Sequence, residues 1–185
     1  MKKIVMAALA TSVAMAATPA MAASSDSKDF IVRANVPTEC SLENPGNVNF
    51  GNLSIDRAPG PDALTLDSNH NAITRAWTSC NWDASIKLES DNGGLENQDA
   101  VNNGPDASDF TDKIFYRVEY RPETVGNFQF ATLNTDLGQV STTTAQTGAY
   151  HENARILVKI APQINPLRPL AGRYTDTVTI TLGAI

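Results

Sequence analysis

The chain has 185 residues, two cysteines and a formal charge of −6, from 14 lysines and arginines against 20 aspartates and glutamates. That length suits one domain with a sizeable core and leaves little for a second. The acidic balance argues against nucleic acid or anionic lipid as a partner, and two histidines offer few candidates for metal or acid–base chemistry.

Lys2 and Lys3 precede an apolar run from Ile4 to Ala17, followed by Thr18, Pro19 and Ala20-Met21-Ala22. A charged start, an apolar stretch too short to cross a bilayer and a small-x-small site form a secretion signal. Residues 1–22 are therefore expected to be removed, leaving a mature chain that begins near Ala23 with about 163 residues and a charge of −8. No other apolar stretch approaches membrane length, so no membrane insertion is expected. In an oxidising compartment the even pair Cys40 and Cys80 reads as a disulfide. Free or metal-binding thiols are the rival reading, and no C-x-x-C spacing accompanies it.

After the polar residues Ser24 to Lys28, Phe30, Val32, Ala34 and Val36 alternate with Ile31, Arg33 and Asn35, a strand signal that stops at Pro37. Val48, Phe50, Leu53 and Ile55 make a second apolar stretch, broken at Gly51 and closed by the turn-rich segment Ala58 to Ala63. Strands are expected over Ile73 to Cys80 and over Trp82 to Glu89, where Trp82, Ala84, Ile86 and Leu88 share a phase. Turn chemistry follows from Ser90 to Gly94. The polar segment Gly94 to Asp109 reads as a loop. Ile114, Tyr116, Val118 and Tyr120 predict a strand that ends at Pro122, and Phe128 and Phe130 bracket a short one. Thr135 to Gly148 reads as an exposed hairpin or loop, and Ala154 to Ile160 as a strand with Ile156, Val158 and Ile160 in phase. From Gly172 to Ile185, Tyr174, Val178, Ile180 and Leu182 take one face and Thr175, Thr177, Thr179 and Thr181 the other, the period of a half-buried strand. No stretch has a capped helical period. Seven or so short strands point to an all-β sandwich, with a barrel as the alternative.

The last strand raises the question of its neighbour. Strands usually pair with sequence neighbours, and none follows it here. An edge with unpaired backbone and an apolar face is an aggregation hazard unless something covers it. The alternating segment at Phe30 to Val36 is one candidate cover, from the same chain or from another copy.

Catalytic candidates are few. Ser25-Asp26-Ser27-Lys28 has the S-x-x-K spacing of a serine nucleophile with a lysine base, but lies in a polar tail. Asp67 to Asn71 imitates half of a calcium loop, with Ala72 at the position needing glycine and Thr78 at that needing glutamate. His70 and His151 belong to no triad or metal spacing. Gly93-Gly94 lacks the lysine and helix onset of a phosphate cradle. Asn52-Leu53-Ser54 fits a glycosylation sequon. Trp77, Trp82, Tyr116 and Tyr120 would form a sugar-stacking platform if they faced outward and core if inward. No enzymatic activity, metal or cofactor is expected.

Four stretches carry a resemblance: FIVRANVPTECSL at Phe30 to Leu42, NFGNL at Asn49 to Leu53, TSCNWDASIKLESDNGG at Thr78 to Gly94 and AGRYTDTVTITL at Ala171 to Leu182. Together they resemble the spore coat protein U-like family of secreted pilins, subunits of archaic-type chaperone–usher fimbriae. The likeness spans the mature chain, with little of it in Leu95 to Gly148. It implies an immunoglobulin-like β-sandwich that lacks its last strand and is completed by donor-strand complementation, a form of β-augmentation. It further implies residues 1–22 as signal peptide, 23–37 as donor segment and 38–185 as the pilin-like domain. On the same basis Phe30, Val32, Ala34 and Val36 are the donor side chains. Gly172, Tyr174, Val178, Ile180 and Leu182 form the acceptor groove and chaperone-binding strand, and Cys40 and Cys80 form the family's disulfide. The implied partners are other pilin subunits in a head-to-tail homopolymer, a periplasmic chaperone and an outer-membrane usher. The implied route is secretion through the periplasm to the cell surface, in support of adhesion or biofilm formation. A secreted monomeric carbohydrate- or surface-binding sandwich and a spore-coat-type structural protein are the alternatives.

Overall fold

The computed structural model describes residues 25–123 and 131–184. The expected secretion signal and the short strand at Phe128 and Phe130 lie outside the described residues. The chain divides into Met1–Asn35 and Val36–Ile185. In the first unit, residues 25–35 form no strand. The alternation from Phe30 onward predicts a strand, but a strand exists only as a hydrogen-bonded partner, and these residues have none among those described.

Thirteen strands follow among the described residues of the second unit. They are β1 (Cys40–Leu42), β2 (His70–Cys80), β3 (Ala84–Ser90), β4 (Leu95–Asn97), β5 (Phe110–Thr111), β6 (Lys113–Ile114), β7 (Arg117–Pro122), β8 (Ala131–Asn134), β9 (Ser141–Gln146), β10 (Tyr150–Ile160), β11 (Arg168–Pro169), β12 (Tyr174–Thr175) and β13 (Val178–Ala184). One layer is the sheet β1-β2-β10-β7-β8 and the other is β13-β3-β9. The short sheets β12-β4-β6 and β11-β5 complete the set. All pairings are antiparallel except β11 with β5. The all-β sandwich expected from the alternating pattern is the fold observed.

Its core comes from the inward phases of both layers. Ala84, Ile86 and Leu88 of β3 are fully buried, opposite Val118 and Tyr120 of β7, Ala154, Ile156 and Ile160 of β10 and Leu133 of β8. Ile114, Tyr116, Val118 and Tyr120 all point inward as expected, yet the strand they predict is cut in two. Side chains interrupt the ladder: the Phe115 N–H donates to Asn165 Oδ1 at 2.6 Å and the Tyr116 N–H to Thr135 Oγ1 at 2.8 Å. β6 can thereby pair with β4 while β7 pairs with β10.

A segment that reads as a hairpin or loop and one that reads as a loop both contain strands. Thr135 to Gly148 holds β9, whose β-branched threonines suit a pleated surface and pair with β3. Gly94 to Asp109 holds β4. Conversely, the Trp82 phase breaks before β3 because Asn81 is committed to a turn. Its side chain accepts from the Glu39 N–H at 2.8 Å and donates to Pro37 O at 2.8 Å. Val48, Phe50, Leu53 and Ile55 are half-buried, but their stretch forms only the isolated bridge Ile55 to Leu66. The turn after β3 places Gly93 at φ 65°, in the left-handed region that a side chain makes costly.

Cys40 and Cys80 are bonded, with Cα atoms 4.2 Å apart, and stand directly opposite one another in the β1–β2 ladder. The bond clamps a three-residue edge strand that few ladder hydrogen bonds hold. Closing a loop of 40 residues should contribute roughly 4 kcal/mol through the unfolded state. Replacing both cysteines with alanine is expected to lower the urea-unfolding free energy by about that amount. A loss below about 1 kcal/mol would mean that β1 is anchored by packing alone.

Candidate functional site

The two strands that end their sheets on the same side of the sandwich, β1 and β13, lie close to one another. Across the β3–β13 ladder Ile180 faces Leu88 and Leu182 faces Ile86. These four side chains share one face, yet Leu88 and Ile86 are fully buried while Ile180 and Leu182 are half-buried. Val178 behaves like them, and all three pack on the core from one side only. The backbone repeats this asymmetry. β13 pairs with β3, and among the described residues no strand pairs with its other edge.

The opposite wall is short for a local reason. After β1 the Glu43 N–H still donates to Trp77 O at 2.9 Å, but the Trp77 N–H donates to Glu43 Oε2, also at 2.9 Å. A carboxylate replaces the backbone acceptor a longer β1 would supply, and Pro45 follows, so the chain leaves the sheet. A cleft of about 370 Å³ opens between Leu42, Glu43, Asn44 and Pro45 on one side and Val178, Thr179 and Ile180 on the other. Phe50, Leu53 and Ile55 are half-buried against the same core.

The expected acceptor residues therefore separate. Val178 and Ile180 line the cleft, and Leu182 continues their face along β13. Tyr174 belongs instead to β12, where it pairs with Asn97, and its hydroxyl donates to Leu170 O at 2.7 Å. Burial pushes the Tyr174 phenol up, which keeps that donor protonated. Gly172 lies beside Asn97 at φ 152°, and any Cβ there would collide with the Asn97 amide. That amide accepts from the Asp99 and Ala100 N–H groups and donates to Ala171 O. Gly172 thus lets the chain pass Asn97 on its way into the last two strands.

One residue that sets this geometry is absent from the sequence-based expectation. Asp176 sits between β12 and β13, in phase with Tyr174 and Val178, so its carboxylate turns inward. Oδ2 accepts from Ser90 Oγ at 2.6 Å and from the Tyr116 hydroxyl at 2.7 Å, with the Gly94 N–H at 3.4 Å. Oδ1 accepts from the N–H groups of Asn92 at 3.1 Å and Thr177 at 2.7 Å. Burial, the largest influence, raises the Tyr116 phenol far above its ordinary range, so it remains a donor. The carboxylate fastens the start of β13 to the end of β3 and to the core. A charged side chain on the inward phase of an otherwise apolar strand was the available signal.

The candidate donor side chains are strongly exposed, at 86% for Phe30, 80% for Val32 and 77% for Val36, and Ala34 is exposed as well. Of the four aromatics that could form a stacking platform, Trp77 and Trp82 are about half exposed, whereas Tyr116 and Tyr120 are core. Among the described residues no three histidines, cysteines or carboxylates are grouped to hold a metal ion, and no helix is long and apolar enough to cross a membrane. The cleft offers an apolar trough beside a row of backbone donors and acceptors, which suits an extended peptide.

A family model, described as Spore Coat Protein U domain, matches residues 26–181. No match is found among curated proteins.

Replacing Asp176 with alanine would strand the Tyr116 hydroxyl and Ser90 Oγ near the core. The expected loss of stability is about 2–4 kcal/mol by urea denaturation, with Asp176→Asn intermediate because it keeps part of the acceptor capacity. A loss within the error of the wild type would remove Asp176 from its anchoring role.

Proposed function

The chain belongs to the Spore Coat Protein U domain family, and from that premise we propose that it is a structural subunit of a surface fimbria, polymerised head-to-tail by donor-strand exchange. The observation that carries this reading is the half-burial of Val178, Ile180 and Leu182 beside the fully buried Ile86 and Leu88 of the adjacent strand. A sheet normally covers such a face with its next strand. Here the missing element is supplied by residues 30–36 of another subunit.

The dimensions agree. Residues 30–36 and β13 are each seven residues long, so the donor's alternate side chains Phe30, Val32, Ala34 and Val36 match the length of the open edge. Burying Phe30 and the two valines contributes about 1.5–3 kcal/mol each before the cost of ordering, and a backbone ladder adds to it. The contact is heterologous and does not close on itself, so repetition produces a filament. The disulfide and the family both fit an extracellular or surface protein. Before polymerisation the same edge needs a temporary occupant, the role of a periplasmic chaperone acting with an outer-membrane usher. Residues 1–22 serve as the export signal and 38–185 as the acceptor domain, and the fibre supports adhesion or biofilm formation. A coat-type role would use the same groove without a surface fibre.

Val32→Arg and Val36→Arg place a charge where an apolar pocket must be filled, whereas the exposed segment tolerates them in the unassembled chain. Both variants are expected to be exported in normal amounts and to form no fibres by electron microscopy and no heat-resistant ladders in unboiled electrophoresis. Fibres of normal length from either variant would show that residues 30–36 are not the donor.

A further inference from the structure

On the outer face of the five-stranded sheet three arginines stand side by side. Arg75 of β2 is opposite Arg155 of β10, and Arg155 is opposite Arg121 of β7. Neighbouring strands lie about 4.8 Å apart, so three guanidinium-bearing positions fall within roughly 10 Å. Like charges directly opposite one another weaken a sheet. The cost is only partly relieved. Arg75 Nε donates to Glu123 Oε1 at 2.8 Å and Arg121 has interactions of its own, but the side chain of the central Arg155 makes no hydrogen bond or ion pair among the described residues. The next cationic positions along the face are neutralised, Lys159 by Glu119 and Arg117 by Asp136, each at 2.6 Å. One row therefore retains excess positive charge in a chain whose net charge is −6.

Beside this row lies a second, independent feature. Trp77, two residues along β2 from Arg75, is 51% exposed and stacks on His151 of β10, with ring centroids 5.1 Å apart and planes inclined by 18°. An exposed, fixed aromatic pair next to guanidinium groups presents a flat apolar surface and bidentate carboxylate forks together.

We propose that this face, centred on Arg155 and flanked by Trp77, binds a carboxylate-bearing polysaccharide. The guanidinium groups take the carboxylates and the indole takes the apolar face of a sugar ring. A nucleic acid is a poorer occupant, because its charge density calls for many more cations than this row holds and the rest of the chain is acidic. The acidic loops of a second copy would match the charge but make no use of the Trp77 and His151 rings. The Trp77 backbone meets Glu43 of the cleft wall, but Arg75, Arg121, Arg155 and Trp77 do not line the cleft at β13, so this face can be occupied independently of that edge.

The test is calorimetric titration of the purified full chain with polygalacturonate at low salt, with dextran as the uncharged control and duplex DNA as the rival polyanion. Saturable binding to polygalacturonate is expected, with none to dextran and a steep weakening as salt is raised. Arg155→Gln and Trp77→Ala should each weaken binding by about tenfold or more, the scale of one lost charge-assisted or stacking contact. Arg155→Gln should also leave the thermal midpoint unchanged or raise it, since it relieves like-charge repulsion; this separates a binding role from a structural one. The proposal is overturned if polygalacturonate does not bind, if Arg155→Gln binds equally well, or if duplex DNA binds as tightly. It is equally overturned if the substitution abolishes self-association in sedimentation while polygalacturonate binding is untouched, which would assign the face to a second copy.

Discussion

β13 pairs with β3 along seven residues and, among the described residues, with nothing on its other side. In an antiparallel ladder half of a strand's amides point each way, so the open side of β13 presents a row of donors and acceptors above half-buried Val178, Ile180 and Leu182. An apolar face and an unpaired edge coinciding on one strand is what natural sheets avoid through short strands, charges or covers. β13 has none of these: its outward residues Thr179 and Thr181 are neutral and β-branched, well suited to remaining extended.

Keeping such a slot open requires rigid walls. On one side the Cys40–Cys80 bond clamps β1 while the Glu43 carboxylate satisfies the Trp77 N–H, so the sheet edge is finished without a longer strand. On the other, Asp176 gathers Ser90, Tyr116 and three backbone N–H groups and sets where β13 begins. Both devices use polar groups to satisfy backbone or core donors locally, which leaves the apolar residues between them without a third layer. The outer face of the larger sheet is built differently. Its paired charges are neutralised on one row and left in excess on the next, which sets it apart from the neutral threonine face of β13.

Much of this was legible in the sequence, because period-two alternation records which face is buried. Ile114, Tyr116, Val118 and Tyr120 kept their inward phase even where the strand breaks. The break itself was hidden, since it depends on Asn165 and Thr135, which arrive from 50 and 19 residues away. The sequence leaves hairpin and loop both open for β9, because its threonines and glutamine find their partner only in β3. The inward residues of β13 were found from their phase, and Leu42 and Pro45 across the cleft were not, because that wall arises from the meeting of two sheets. Tyr174 and Gly172 share the motif of the last strand but serve the bend before it, a distinction set by Asn97.

The most direct measurement is amide hydrogen exchange along β13, comparing the unassembled full chain with the same chain after addition of a peptide spanning residues 30–36. Alternate amides from Val178 to Ala184 are expected to exchange quickly in the unassembled chain, while those bonded to β3 are protected, and the peptide is expected to slow the fast set by orders of magnitude. Uniform protection of β13 without added peptide, or no slowing when it is added, would contradict an open edge that is filled by another molecule.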